Sequence, residues 1–227
     1  MKEVLKQLRQ IKWIDITRTL GSDNLDYPQD DPVEIKRIME QERGDICNLT
    51  RICMSTHAGT HLDAPAHFLS GAAFLEEIPP ERFVLEAKVV EIAGEKITAG
   101  ELSKYSWEPG QGVLFKTSNS NLPRNIFSHN YVAMELNAAK FLVEKGIGMV
   151  GIDYLSVDEL RSPEDCNTPG KIVPVHEELL KSGCLILEDV NLGEVEPGSY
   201  LLICLPLKYS RSEGAPCRCI LGVRNNK

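Results

Sequence analysis

Apolar residues recur along this chain with two different periods. Val4, Leu5, Leu8 and Ile11 fall at helical spacing and predict an opening helix, after which "WIDITRTL" reads as a strand. Further short apolar runs at "ICNLTRICMS", "FVLEAKVVEI", "GVLFKT", "GMVGIDYL", "CLILEDV", "YLLICLPL" and "CRCILGV" predict more strands. Two segments return to helical spacing. "NYVAMELNAAKFLVEKG" ends on a glycine, and "PVHEELLKSG" has Pro174 at its start and Gly183 after its end, the order in which helices open and close. The stretch "SDNLDYPQDDP" gathers turn formers and acids and reads as an exposed loop. Strands dominate, some joined by short turns and others across helices. The pattern predicts one domain over residues 1–227, α/β or α+β, with a mixed sheet.

One glycine pattern is misleading. Gly146, Gly148 and Gly151 spell G-x-G-x-x-G, but a helix precedes them and a strand follows. A dinucleotide site needs the reverse order, so that the helix start meets the pyrophosphate. These glycines read as a helix C-cap leading into a buried strand.

Composition narrows the class. The 227 residues are 42% hydrophobic and 26% charged, ordinary for a globular protein. With 33 acidic and 25 basic residues the formal charge is −8, and the basic residues are scattered, so nucleic acid is not an expected partner. No run approaches the roughly 18 apolar residues that span a bilayer, and no membrane association is expected. The start, "MKEVLKQLRQIKW", is an amphipathic pattern broken by charge, unlike a secretion signal, and a cytoplasmic location is the expectation. Seven cysteines, an odd number lying mostly in apolar runs, read as buried reduced thiols.

The chemistry concentrates in "STHAGTHLDAPAHF", which holds His57, His61 and His67, three of the chain's five histidines, together with Asp63. In one straight strand His57 and His61 would stand roughly 13 Å apart at about 3.3 Å per residue, too far to share a small ion. A regular helix is opposed by Gly59 between them and by Pro65. A strand running into a tight turn at Gly59 lets the two imidazoles converge, with Asp63 returning to the same point. A lone His-x-x-x-His is more often a pair of satisfied loop residues; Asp63 and His67 in the same Gly- and Pro-shaped loop turn the reading to a divalent metal. Imidazole and carboxylate donors suit Zn²⁺, with Mn²⁺, Co²⁺ and Fe²⁺ as alternatives. Three ligands from one loop would leave a coordination position open to water, as in catalytic sites.

His57-Ala58-Gly59-Thr60-His61-Leu62-Asp63-Ala64-Pro65-Ala66-His67 resembles the H-x-G-T-H-x-D-x-P-x-H signature of the cyclase-like metal-dependent hydrolases, which include bacterial kynurenine formamidases. The resemblance continues through "YPQDDP", "GIDYLSVD", "VHEELL", "LEDVNL" and "LPLKYSRSEGAPCRCIL" in the same order. It implies a swivelling β/β/α-type fold, a mixed barrel-like β-sheet flanked by helices, in a homodimer or homotetramer. It also implies that His57, His61 and Asp63 hold one metal, and that Asp63 and Glu188 bridge to a second, which His176 also binds. Read alone, His176 is a helix-terminal residue and Glu188 a strand-end acid. His67 matches the family's acid/base histidine. Where formamidases usually carry Trp-Pro-Gly-Asp, this chain has Tyr27-Pro28-Gln29-Asp30, so Tyr27 is the candidate aromatic against the substrate.

The function so implied is hydrolysis of an amide-type C–N bond, in N-formylkynurenine or a related formamide, cyclic amide or lactam. Metal-activated water attacks the carbonyl and His67 donates the proton that releases the nitrogen. Zinc, or manganese, would be present as one or two ions per subunit. The alternatives are a metal- or ligand-binding protein of the same fold without this activity, a structural zinc protein, and a hydrolase of a different cyclic amide or lactone.

Overall fold

The apolar runs close on themselves into a barrel. The computed structural model describes residues 2–28, 30–162 and 173–224. Its strands are β1 (Ile11–Asp15), β2 (Glu34–Met39), β3 (Leu49–Cys53), β4 (His61–Asp63), β5 (Val84–Glu91), β6 (Lys96–Ile97), β7 (Gly112–Lys116), β8 (Ala133–Met134), β9 (Met149–Ile152), β10 (Leu185–Glu188), β11 (Gly198–Pro206) and β12 (Gly214–Arg224). The helices are α1 (Lys2–Leu8), α2 (Ala99–Leu102), α3 (Leu136–Glu144) and α4 (Pro174–Lys181).

Seven strands form the barrel in the order β12-β11-β5-β7-β9-β10-β4, and β4 returns to β12 to close it. The steps β5–β7, β7–β9 and β9–β10 are parallel, and α2, α3 and α4 respectively supply the crossovers that parallel pairing requires. The other steps are antiparallel. β12 is long enough to be shared along one edge: its first residues, Gly214 to Pro216, pair with β4, and its end, Ile220 to Arg224, pairs with β1.

Strand alternation sorts the side chains into two cores. Leu114, Met149, Leu185 and Leu187 point inward with Leu62, Leu202 and Leu221. Val113, Phe115, Val150, Ile152 and Ile186 point outward under Leu102, Leu142, Leu179 and Leu180 of the helices. Strands buried on both faces carry continuous apolar runs, which explains why these segments show so little polar alternation.

Several expectations need adjustment. The opening helix stops at Leu8, and Ile11 begins β1. The run "ICNLTRICMS" yields only β3, which pairs with β2 in a two-stranded ribbon apart from the barrel. Cys184, Cys204, Cys217 and Cys219 are buried free thiols, but Cys47 and Cys53 are exposed, because this ribbon has no covering layer. Cys166 lies outside the described residues. The three glycines behave as expected: Gly146 follows α3 at φ +70°, and a side chain at Gly148 would meet the Gly110 carbonyl oxygen at 2.8 Å. Among the described residues no helix is long and apolar enough to cross a membrane.

Candidate metal centre

The site forms where β4 closes the barrel. Gly59 sits at φ +62° in the turn before β4, and a Cβ there would lie 2.8 Å from Leu20, so glycine suits the turn on both counts. His57 projects from this turn. In β4, His61 and Asp63 share one face while Leu62 between them enters the core, as a period of two requires. The predicted turn at Gly59 is present, and a three-residue strand follows it. β10 brings Glu188 into register opposite His61. His176 lies in the first turn of α4, next to Val175, which packs into the outer core.

These five side chains converge. His57 Nδ1 lies 2.9 Å from Asp63 Oδ1, and His61 Nε2 lies 3.4 Å from the same oxygen and 3.6 Å from Glu188 Oε2. His176 Nε2 is 3.5 Å from Asp63 Oδ2 and 3.3 Å from Glu188 Oε1. They make two groups, His57/His61/Asp63 and Asp63/His176/Glu188, within each of which one donor atom per residue lies within 4.8 Å of the others. Asp63 belongs to both.

The electrostatics are those of a donor set that calls for positive charge. Burial disfavours a charged ring at His61, yet the hydrogen bond and charge of Asp63, with Glu188 and the Gly59 carbonyl, raise its pKa to about 9. His176 is likewise buried, but Asp158, Asp63 and Glu188 hold it well above the usual histidine range. Asp63 is held well below the carboxylate range against its own burial, by hydrogen bonds from His176, His57 and His61. Burial and the neighbouring charge of Asp63 push Glu188 up. At these separations of 3.4–3.5 Å the contacts are long, and His57 Nε2, His61 Nε2 and Asp63 Oδ2 are buried without a hydrogen bond of full geometry. The Gly59 carbonyl accepts from His61 Nδ1–H at 2.8 Å, which leaves Nε2 as the free donor atom. Three imidazoles and two buried carboxylates, with unsatisfied atoms facing one another, fit divalent cations of the Zn²⁺ or Mn²⁺ kind.

His67 stands outside both groups. It ends the short turn Pro65–His67, and its ring stacks on that of His57 with centroids 4.0 Å apart. Desolvation pushes its pKa down to about 3. A cavity of about 430 Å³ exposes His57, His61, His67, His176 and Glu188. Tyr27, Phe68, Leu155, Leu160 and Val173 give it an apolar wall, and Tyr27 meets Phe127 edge-on at 6.0 Å. The fifth histidine, His129, lies in a loop, with its Nδ1 3.0 Å from the Leu160 carbonyl oxygen.

Two features lie inside the family stretch "LPLKYSRSEGAPCRCIL", where nothing in the sequence ties them to the histidine loop. Gly214 begins β12 directly against the His57 ring. Glu213, also lining the cavity, accepts from the Thr56 hydroxyl at 2.7 Å and lies 4.0 Å from His57 Nε2. Both belong to a segment about 150 residues downstream, which only the β4–β12 pairing makes a neighbour.

The chain is similar to known proteins over most of its length. Residues 14–159 match the family model described as putative cyclase. A kynurenine formamidase of Bacillus thuringiensis (strain Al Hakam) is 33% identical over 215 residues, covering 94% of this chain and 99% of its own. A solved structure described as a potential metal-dependent hydrolase with cyclase activity is 30% identical, with a TM-score of 0.78 over 95% of this chain and 99% of that one. Isatin hydrolase A from Labrenzia aggregata shares the fold at a TM-score of 0.83 and 23% identity, covering 99% of each chain.

Proposed function

The chain belongs to the putative cyclase family and is a metal-dependent hydrolase of amide C–N bonds, and from that premise we propose that it acts on an aryl formamide such as N-formylkynurenine, or on a related cyclic amide or lactam. The observation that carries this reading is the pair of donor groups sharing Asp63, open to a cavity with an apolar wall.

His57, His61 and Asp63 would hold one ion, and Asp63, His176 and Glu188 a second, with zinc or manganese the ions best suited to the donors. Ions held there would supply a Lewis acid for the carbonyl and a lowered pKa for water. The remaining work falls to the chain. Tyr27, Phe68, Leu155 and Val173 form an apolar face against which a planar ring can pack, excluding water from the reacting bond. His67, with its pKa near 3, is neutral at physiological pH, so it must collect a proton before it can donate one. It can take that proton from the attacking water and pass it to the amide nitrogen, which leaves only when protonated. The buried free thiols of Cys184, Cys204, Cys217 and Cys219 support a reducing compartment such as the cytoplasm.

The test is turnover by metal-loaded protein on N-formylkynurenine, isatin-type lactams, simple cyclic amides and lactones, with chelator controls. We expect hydrolysis of a formamide or lactam, abolished by chelation and restored by added metal. A preparation that holds its ions and cleaves no amide overturns the proposal.

A further inference from the structure

Between β9 and α4 the chain passes through Ser156-Val157-Asp158, three buried residues that touch two of the three donors in the Asp63/His176/Glu188 group. The Val157 N–H donates to Glu188 Oε1 at 2.9 Å. Asp158 grips His176 twice with one oxygen: Oδ2 accepts from the backbone N–H at 2.9 Å and from ring Nδ1–H at 2.6 Å. Its Oδ1 takes the Val175 N–H at 3.0 Å. The segment is itself braced, since Ser156 Oγ accepts from the Asp158 N–H at 3.2 Å and the Tyr131 hydroxyl donates to the Asp158 carbonyl.

We propose that Asp158 is a positioning residue for metal binding, setting the ring of His176 while the adjacent Val157 N–H sets the carboxylate of Glu188. The inference rests on the metal-dependent reading above and is independent of the substrate. An imidazole can turn by half a revolution about its Cβ–Cγ bond, which exchanges Nε2 for Cε1 at the tip; the two-fold torsion leaves both orientations accessible. The hydrogen bond from Nδ1–H to Asp158 selects one orientation and one tautomer. It leaves Nε2 facing Asp63 Oδ2 at 3.5 Å and Glu188 Oε1 at 3.3 Å. Capping α4 would need only the two backbone N–H bonds. The ring bond is additional, and it runs to the one residue of that turn that belongs to the donor set.

Asp158→Asn tests this with little change of volume. Its single amide oxygen cannot serve all three bonds: set at Oδ1 it turns the NH₂ on the ring Nδ1–H, and set at Oδ2 it turns the NH₂ on the Val175 N–H and grips the ring only as a neutral acceptor, so the hold on the ring is lost or reduced either way. Metal-free full-length protein is titrated with Zn²⁺ against a chromophoric chelator, alongside far-UV circular dichroism melts of the metal-free forms. We expect two binding steps in the wild type. In Asp158→Asn one of them weakens by about 10- to 100-fold while the other and the metal-free melt hold. Ser156→Ala, which removes only the brace, should weaken the same step by a smaller factor, and it decides the matter if Asp158→Asn does not fold. A folded Asp158→Asn protein with both steps intact overturns the proposal, as does a Ser156→Ala protein with unchanged affinity where that variant has to decide. Loss of both steps in proportion to lost melting, or a wild type with a single step insensitive to these changes, also overturns it. Turnover is not read, so a failure to hydrolyse amides would count against the proposed function alone.

Discussion

Gly214 lacks a side chain because His57 occupies the space one would need. A Cβ at this position would stand 2.3 Å from His57 Cε1, 2.7 Å from Nε2 and 2.9 Å from Nδ1, closer than atoms pack. The backbone there is not left-handed, so alanine itself is unstrained. The ring, at the end of a rotatable side chain, is what must yield. Gly214→Ala is therefore expected to fold with a near-normal Tm but to bind metal more weakly through the His57/His61/Asp63 group, as read by metal titration and circular dichroism. His67 predicts the opposite separation. It stacks on His57 and belongs to neither donor group, so His67→Ala should keep its metal content while kcat falls by about 10²- to 10⁴-fold, the usual worth of a general acid–base group. Metal lost together with turnover would make His67 a ligand instead.

At the scale of elements, Glu76 ties the turn Leu75–Glu77 to the loop that leads into β12. Its carboxylate accepts from Ser212 Oγ at 2.7 Å, from the Ser212 N–H at 3.1 Å and from the N–H of Arg211, which sits at φ +59°. These bonds, the Ser212 hydroxyl foremost, lower its pKa from 4.5 to about 2. A lowered carboxyl stabilises the fold fully above its unfolded pKa, and that contribution fades as pH falls toward the native value. Glu76→Gln should thus melt below the wild type at neutral pH, with the gap narrowing between about pH 5 and pH 3; a constant gap would show that the charge is not what tethers the loop. The barrel strands were legible because burial on both faces gives unbroken apolar runs. β4 was not, since three residues carry no periodicity and its partners β10 and β12 lie more than a hundred residues away. The same distance limits the site. His57, His61 and Asp63 announce themselves within one loop, whereas His176 and Glu188 arrive through the β9–α4–β10 crossover and were named only through the family signature. Asp158, eighteen residues before His176, closes the family stretch "GIDYLSVD", but no spacing there ties it to the donor set.

On the scale of the whole molecule, the β2–β3 ribbon and the metal centre make separate demands. Two strands alone are marginal in water, and this ribbon exposes the facing pair Ile35 and Ile52 at 46% and 52% while setting Lys36 opposite Arg51. A second copy of this chain, acidic overall at −8, would cover the apolar pair and answer the basic one, so light scattering should give a homo-oligomer that Ile52→Lys dissociates. The metal centre bears on folding differently. The two larger apolar cores lie on the barrel and helices, and apart from Leu62 of β4 they draw little on the donor residues, so the chain should fold without metal, unlike small domains whose core the ion replaces. Yet Asp63 and Glu188 are buried close together, a burden that a bound cation relieves. Free metal at a hundred times Kd adds about 2.7 kcal/mol per ion, which for a chain of this length raises Tm by roughly 5–11 °C. Thermal melts with and without chelator should show that shift on an otherwise intact fold. Asp63→Asn should abolish it, because Asp63 serves both groups, whereas Glu188→Gln should leave the part due to His57, His61 and Asp63. Unfolding on chelation at room temperature would mean instead that the ion holds the barrel shut at β4, and that its role is structural before it is chemical.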